Sequence, residues 1–219
     1  MNNFITFEGI EGCGKTTQIN LLKNFLSENN IPCLVTREPG GCELGNKIRK
    51  IVLGTDNKNI LSMTELFLYA ADRAQHVEEV ILPAVKDGKM VLCDRYTDAT
   101  LAYQGYGRGL NTDTIVKLNT LASSGLKPDL TFFIDCPVEV GIERALARSN
   151  ASGPDEMRFE KEDLSFHRRV REGYEKICAK EPKRVVRING DRNIDDVQRD
   201  IVKIFKSRVT EIKFEAIDG

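Results

Sequence analysis

The chain reads as an α/β protein: a five-stranded parallel sheet flanked by helices on both faces, with one polar segment set apart as a lid. Three observations predict this. Five short apolar runs, rich in β-branched or aromatic residues, recur along the 219 residues. Stretches of helical period separate them, which is the rhythm of βαβ units. The first run is followed at once by a glycine-rich loop and then by a helical pattern.

The predicted strands are "FITF" (4–7), "CLVT" (33–36), "MVLC" (90–93), "LTFFI" (130–134) and "VVRI" (185–188), each too short to be a buried helix. Residues 15–28 place Ile19, Leu22, Phe25 and Leu26 on one helical face. Residues 63–85 do the same with Leu66, Tyr69, Ala70, Arg73, Val77, Val80 and Ile81. Further helices are expected at 112–123, 138–148, 160–180 and 193–209. No repeat, low-complexity tract or linker divides the chain, so residues 1–219 are expected to form one domain. The stretch "RSNASGPDEMR" (148–158) is polar and rich in Gly, Pro and Ser between two helices, a surface loop or a lid over a site.

Composition narrows the class. Hydrophobic residues make up 41% and charged residues 30%, with a formal net charge of -1. That balance argues against a nucleic-acid binder, whose face would tilt the total basic, but leaves room for a local cluster that binds a small anion. Six cysteines (Cys13, Cys33, Cys42, Cys93, Cys136, Cys178) show no C-x-x-C pair and read as reduced thiols. The opening "MNNFITFEG" has neither the charged nor the long apolar part of a signal peptide, and no apolar run reaches the roughly 20 residues of a membrane helix. A cytoplasmic protein without membrane contact is expected.

Gly9-x-x-x-x-Gly14-Lys15-Thr16, between a predicted strand and a predicted helix, fits the phosphate-binding P-loop. Glycine lets main-chain N–H groups approach phosphate oxygens, and the helix behind adds its positive end. The segment that binds a nucleoside triphosphate is thus Gly9, Ile10, Glu11, Gly12, Cys13, Gly14, Lys15, Thr16 and Thr17, with Lys15 on the outer phosphates and Thr16 on Mg²⁺. A guanine-reading N-K-x-D after a late strand is missing, since "NKNI" (57–60) lacks the aspartate. Arg37, in "TREPGG" (36–41), and Asp94 and Arg95, in "CDRYTD" (93–98), stand at carboxyl ends of predicted strands, where ligands of open α/β sheets collect. A guanidinium fork can hold a second phosphate bidentately, and a carboxylate can orient Mg²⁺. Two phosphate groups facing each other suggest phosphoryl transfer between nucleotides.

With "FEGIEGCGKTTQ", "TREPGG", "YAADRAQH", "DRY", "AYQGYGRG", "KPDLTFFID" and "HRRVREGY" all in order, the chain resembles the bacterial thymidylate kinases. The resemblance implies a nucleoside-monophosphate-kinase fold and a homodimer, with ATP, Mg²⁺ and dTMP as reactants and dTDP as product. It further implies that Glu11 faces the acceptor's sugar 3′-OH and that Arg37 and Arg95 hold the acceptor phosphate. Tyr69 would stack on thymine, Arg73 would bond the base's exocyclic oxygen, Thr100 and Gln104 would touch the base, and Tyr103 would crowd the 2′ position. The slot where some members carry a P-loop arginine is Gly12 here. The resemblance therefore points to Arg148 as the lid arginine, with Arg158 as a rival and Arg144 beside the donor nucleotide. Phe67, two residues from the stacking position, is expected in the core, and His76 and His167 are read as structural. A deoxynucleoside kinase with Glu38 as base, another pyrimidine nucleoside monophosphate kinase, and a non-catalytic nucleotide-binding protein stay open as alternatives.

Overall fold

The computed structural model describes residues 3–57, 59–152 and 157–209. Strands β1 (Phe4–Glu8), β2 (Cys33–Arg37), β3 (Met90–Asp94), β4 (Leu130–Asp135) and β5 (Val185–Asn189) form one parallel sheet in the order β2-β3-β1-β4-β5. Each begins where its apolar run begins and extends one residue past it, to Glu8, Arg37, Asp94, Asp135 or Asn189. The apolar pattern stops at a rim of polar residues, two of them (Glu8 and Asp135) still buried, whereas the strand continues through that rim. The rim is where the chemistry collects. β1 lies between β3 and β4: the connection from β1 leads to β2 on one side, that from β3 leads to β4 on the other, and this reversal opens a crevice at the carboxyl ends.

β4 is buried at all six positions, as a strand covered on both faces must be. The alternation of β3 shows the two faces directly. Met90 and Leu92 join the larger core cluster, while Val91 and Cys93 pack with Val77, Ile81 and Ala84 on the other side.

Helix α1 (Lys15–Glu28) has the predicted bounds, with Ile19, Leu22 and Leu26 buried. The expected 63–85 helix is α3 (Ser62–His76), a π-helical turn at Val77–Ile81, and α4 (Leu82–Lys86). Then come α5 (Thr97–Thr100), running straight into a second π-helical stretch at Leu101–Gly107, α6 (Thr112–Ala122), α7 (Val138–Ser152), α8 (Leu164–Lys180) and α9 (Ile194–Arg208). The start of α8 is later than predicted because Asp163 caps it, its Oδ1 accepting from Phe166 N at 2.7 Å. Helix α7 runs on through Arg148 into the predicted lid, whose residues 153–156 lie outside the described part.

Helix α2 (Glu43–Leu53) and the helical stretch from Thr97 to Gly107 were not anticipated. The signal for α2 was present in disguise. The Cys42 thiol sits where a hydroxyl cap is usual, and its Sγ accepts from Gly45 N at 3.3 Å. Ile48 and Val52, four residues apart, form its buried stripe. One core assignment fails: Phe67 is 57% exposed, because it lies on the side of α3 turned away from the sheet.

Candidate active site

The glycine-rich loop between β1 and α1 wraps the floor of a cavity of about 1440 Å³. Gly12 has a φ of 65°, and a Cβ there would overlap the Gly141 carbonyl oxygen in the first turn of α7. No side chain fits that position, an arginine least of all. Gly14, at φ 100°, caps α1 and has no atom within 4 Å of where a Cβ would stand, which leaves its outer side open. Lys15 Nζ donates to Gly9 O at 3.1 Å and Ile10 O at 2.8 Å, folded back along the loop it belongs to. Glu11, Gly12, Gly14, Lys15, Thr16 and Thr17 line the cavity. Ile10 and Cys13 are each 1% exposed and turn inward, so the loop presents main chain on one side and core on the other.

Thr16, at the start of α1, donates its hydroxyl proton to Asp94 Oδ2 at 3.0 Å, at the end of β3. A hydroxyl and a carboxylate oxygen side by side on the cavity wall are hard donors of the kind Mg²⁺ takes, since that ion uses one or two protein oxygens and fills its shell with water and phosphate. The donor set fits.

Arg37 and Arg95 lie on the cavity wall beyond, together with Asp94 and the turn at Pro39 and Gly41. Gly40 N donates to Asp72 Oδ1 at 2.9 Å, which ties this turn to α3. Arg95 has a φ of 69°, the left-handed region that a residue with a Cβ rarely adopts, directly after β3. Its Nη2 donates to Glu11 Oε1 at 3.0 Å, its Nη1 to Gly9 O at 2.9 Å, and its guanidinium lies 4.7 Å from the Tyr103 ring centre. Tyr103 OH donates to the same Glu11 oxygen at 2.6 Å. Burial alone would raise the Glu11 pKa, but the charges and donors around it, Arg95 foremost, then His167, Lys15 and Tyr103, hold it down at about 2.

Tyr69, Arg73, Thr100 and Gln104 line the neighbouring part of the cavity. Arg73 is 1% exposed and gives four of its five N–H donors to the protein. Nε reaches Glu38 Oε2 at 2.8 Å and Nη1 reaches Asn119 Oδ1 at 2.7 Å, while Nη2 donates to Tyr96 O and Thr100 Oγ1, both at 3.0 Å. Among the described residues one N–H has no partner. Gln104 Nε2 donates to Glu65 Oε1 at 2.8 Å, so its amide is held in one orientation. The π-helical stretch delivers Tyr103 and Gln104 together, adjacent in sequence and both buried.

Glu38 has no free oxygen. Oε2 accepts from Arg73, and Oε1 accepts from His76 Nδ1 at 3.0 Å. With its proton on Nδ1, the His76 ring accepts at Nε2 from Thr36 Oγ1 at 2.6 Å. Glu65, Asn119 and the structural role of Glu38 escaped the sequence reading. A polar residue on an otherwise apolar helix face was the only trace, and it does not name its partner.

The two lid candidates part company. Arg148 lines the cavity, two helical turns along α7 from the Gly141 that touches the P-loop. Arg158 is spent elsewhere, donating from Nη2 to Glu65 Oε2 and from Nε to Val52 O, each at 2.5 Å. Arg144 faces outward and donates from Nη2 to Asp191 Oδ1 at 3.2 Å.

Known proteins of one kind resemble this chain. A family model described as Thymidylate kinase matches residues 7–201. A thymidylate kinase of Geotalea uraniireducens is 53% identical over 212 residues, 96% of this chain and 100% of the relative. One from Geotalea daltonii is 57% identical over 200 residues, covering 90% and 94%. Among solved structures, the crystal structure of thymidylate kinase from Ehrlichia chaffeensis superposes with a TM-score of 0.74 at 35% identity, over 93% of this chain and 97% of that one.

Proposed function

Because the chain belongs to the thymidylate kinase family, we infer that it transfers the γ-phosphoryl group of ATP to dTMP, giving dTDP and ADP. One observation carries the residue-level reading: a single cavity is lined by the P-loop with Lys15 and by Arg37 and Arg95, and Lys15 Nζ and Arg95 Nη1 both donate to the Gly9 carbonyl oxygen. That is room for two nucleotides meeting phosphate to phosphate.

Phosphoryl transfer asks the protein mainly for alignment and for positive charge where charge moves. Lys15 exchanges its two carbonyl partners for phosphate oxygens of ATP. Arg37 and Arg95 hold the acceptor phosphate, and Glu11 keeps Arg95 in place through Nη2. The attacking oxygen is already ionised at neutral pH, so no general base is needed; Glu38 and His76, bonded to each other, serve as structure. Thr16 and Asp94 would hold Mg²⁺, which when bound neutralises charge on the phosphate oxygens. Arg148 supplies the positive charge from the lid. Tyr69 stacks on the thymine, and the one N–H that Arg73 retains, with the Thr100 hydroxyl, meets its polar edge.

We read residues 1–219 as one kinase domain with a lid around 148–158, working in the cytoplasm. No described helix is long and apolar enough to cross a membrane. A homodimer fits the apolar residues left on the outer sides of α3 and α6, where Met63 and Phe67 are 42% and 57% exposed and Val116 and Leu121 are 50% and 77% exposed.

The test is ADP release with dTMP, dUMP, UMP and dGMP. One methyl in an apolar pocket is worth about 1–3 kcal/mol, so dUMP is used more slowly than dTMP but is not silent. UMP is penalised further by Tyr103. A preference for dGMP would end the Tyr69–Arg73 assignment.

A further inference from the structure

Glu11 has a neighbour that the transfer mechanism leaves unused. His167, in the first turn of α8, is 0% exposed, and its Nδ1 lies 3.4 Å from Glu11 Oε2. Among the described residues neither His167 ring nitrogen has a hydrogen-bond partner, and nor does Glu11 Oε2, although all three atoms are buried. Buried polar atoms without partners are rare because each costs about 1–3 kcal/mol. Here the two that face each other are a ring nitrogen and a carboxylate oxygen, a natural donor and acceptor.

The load on Glu11 is lopsided. Oε1 accepts from both Tyr103 OH and Arg95 Nη2, while Oε2 accepts from no described residue. The terminal torsion of a glutamate is soft. A carboxylate anchored through one oxygen is therefore fixed in position but not in the tilt of its plane. The surroundings hold Glu11 in its ionised form, which makes Oε2 a strong acceptor. The ring itself is held by packing, with the Phe166 ring edge-on to it at 5.5 Å.

We propose that His167 is a positioning residue for the acceptor nucleotide: its Nδ1–H donates to Glu11 Oε2 and sets the carboxylate plane in which Glu11 meets the acceptor's sugar hydroxyl. The contact is long while the cavity is open and tightens when the acceptor is bound, as site hydrogen bonds commonly do. The inference rests on the reading that Glu11 faces the 3′-OH, and the test separates the two.

His167→Phe and His167→Asn are assayed with dTMP and with its 3′-deoxy analogue as acceptors. The phenylalanine keeps a ring without a donor, and the asparagine keeps an N–H near the Nδ1 position. The expected result for His167→Phe is a rise of about tenfold in KM for dTMP, the scale of one hydrogen bond to a charged group, with the KM for ATP unchanged. On the 3′-deoxy acceptor its KM stays within about twofold of the parent enzyme, and His167→Asn recovers most of the loss. Equal losses on both acceptors, or no recovery with asparagine, overturn the proposal. Glu11→Ala is the control: if its loss relative to the parent is equal on both acceptors, the reading of Glu11 falls; if its loss falls on dTMP and not on the 3′-deoxy acceptor while that of His167→Phe is equal on both, only the role of His167 falls. The unaltered enzyme gives a second readout should the variants misfold. The chain has two histidines, so ¹⁵N imidazole NMR resolves both. His167 is expected as the Nδ1–H tautomer, with its proton signal moving on addition of dTMP and not of ADP. An Nε2–H tautomer overturns the proposal.

Discussion

Glu38 Oε2 accepts from Arg73 Nε at 2.8 Å in a place where the two side chains are 2% and 1% exposed. The pair joins the turn after β2 to α3 and fixes Arg73, the arginine proposed to meet the base. It also removes Glu38 from the roster of proton acceptors. Breaking a buried pair by removing one partner costs about 3–5 kcal/mol, because the other charge is left uncompensated. Glu38→Ala is expected to lose that much stability in urea unfolding. Thymidine, which would need a base at its 5′-OH, is expected not to be phosphorylated by the unaltered enzyme; ADP release with thymidine alone would reopen the nucleoside-kinase alternative.

Arg148 and Arg158 are expected to separate cleanly on mutation. Arg148→Ala should lower kcat by about 10³, the low end of the effect of arginines that stabilise a transferring phosphoryl group, with little change in dTMP affinity. Arg158→Ala should instead lower thermal stability, since Arg158 joins the end of the 148–158 stretch to α2 and α3 through Val52 O and Glu65. Single-turnover rates and melting curves on both variants check this. An unchanged rate in Arg148→Ala would reassign the role.

Thr16→Val keeps the shape of the side chain and removes the oxygen that bonds Asp94. The Mg²⁺ concentration for half-maximal activity should rise by about tenfold or more, and chelation of Mg²⁺ should silence the parent enzyme. Titrating Mg²⁺ at fixed ATP reads it out, and an unshifted curve would remove Thr16 from the metal site.

Asp72 titrates far from its ordinary range. Burial first and Glu38 second push its pKa from 3.8 to about 7, against the opposing pull of the Gly40 N–H, His76 and Arg73. Oδ2 is buried with no hydrogen-bond partner among the described residues. The folded pKa is the higher one, so between these two values the native state holds a proton that the unfolded chain has released. This group's contribution to stability therefore falls as pH rises from about 4 to 7. Asp72→Asn keeps an acceptor for Gly40 N and removes the charge. Its melting temperature at pH 8 should exceed the parent's by on the order of 5 °C, with the gap closing near pH 4. A gap that does not change with pH would show that Asp72 does not titrate in that window.

The strands, α1 and the P-loop were legible because their information is local. An apolar run of four or five residues and a glycine before a lysine mean the same thing wherever the rest of the chain goes. The rim residues Arg37, Asp94 and Arg95 were legible for the same reason, each sitting one or two positions past a readable strand. Family motifs extended that reach to Tyr69, Arg73 and Gln104. Long-range pairing was out of reach. Asn119 meets Arg73 across 46 positions, Glu65 meets Arg158 across 93, and His167 lies 156 positions along the chain from Glu11. A buried charge takes whichever partner the packing brings within 3 Å, and that choice is made by how α3, α6 and α8 settle on the sheet. Neighbouring residues carry no record of it. The choice between Arg148 and Arg158 was of this kind: both are arginines in one polar stretch, and only the packing of the chain around Glu65 commits Arg158 and leaves Arg148 on the cavity wall.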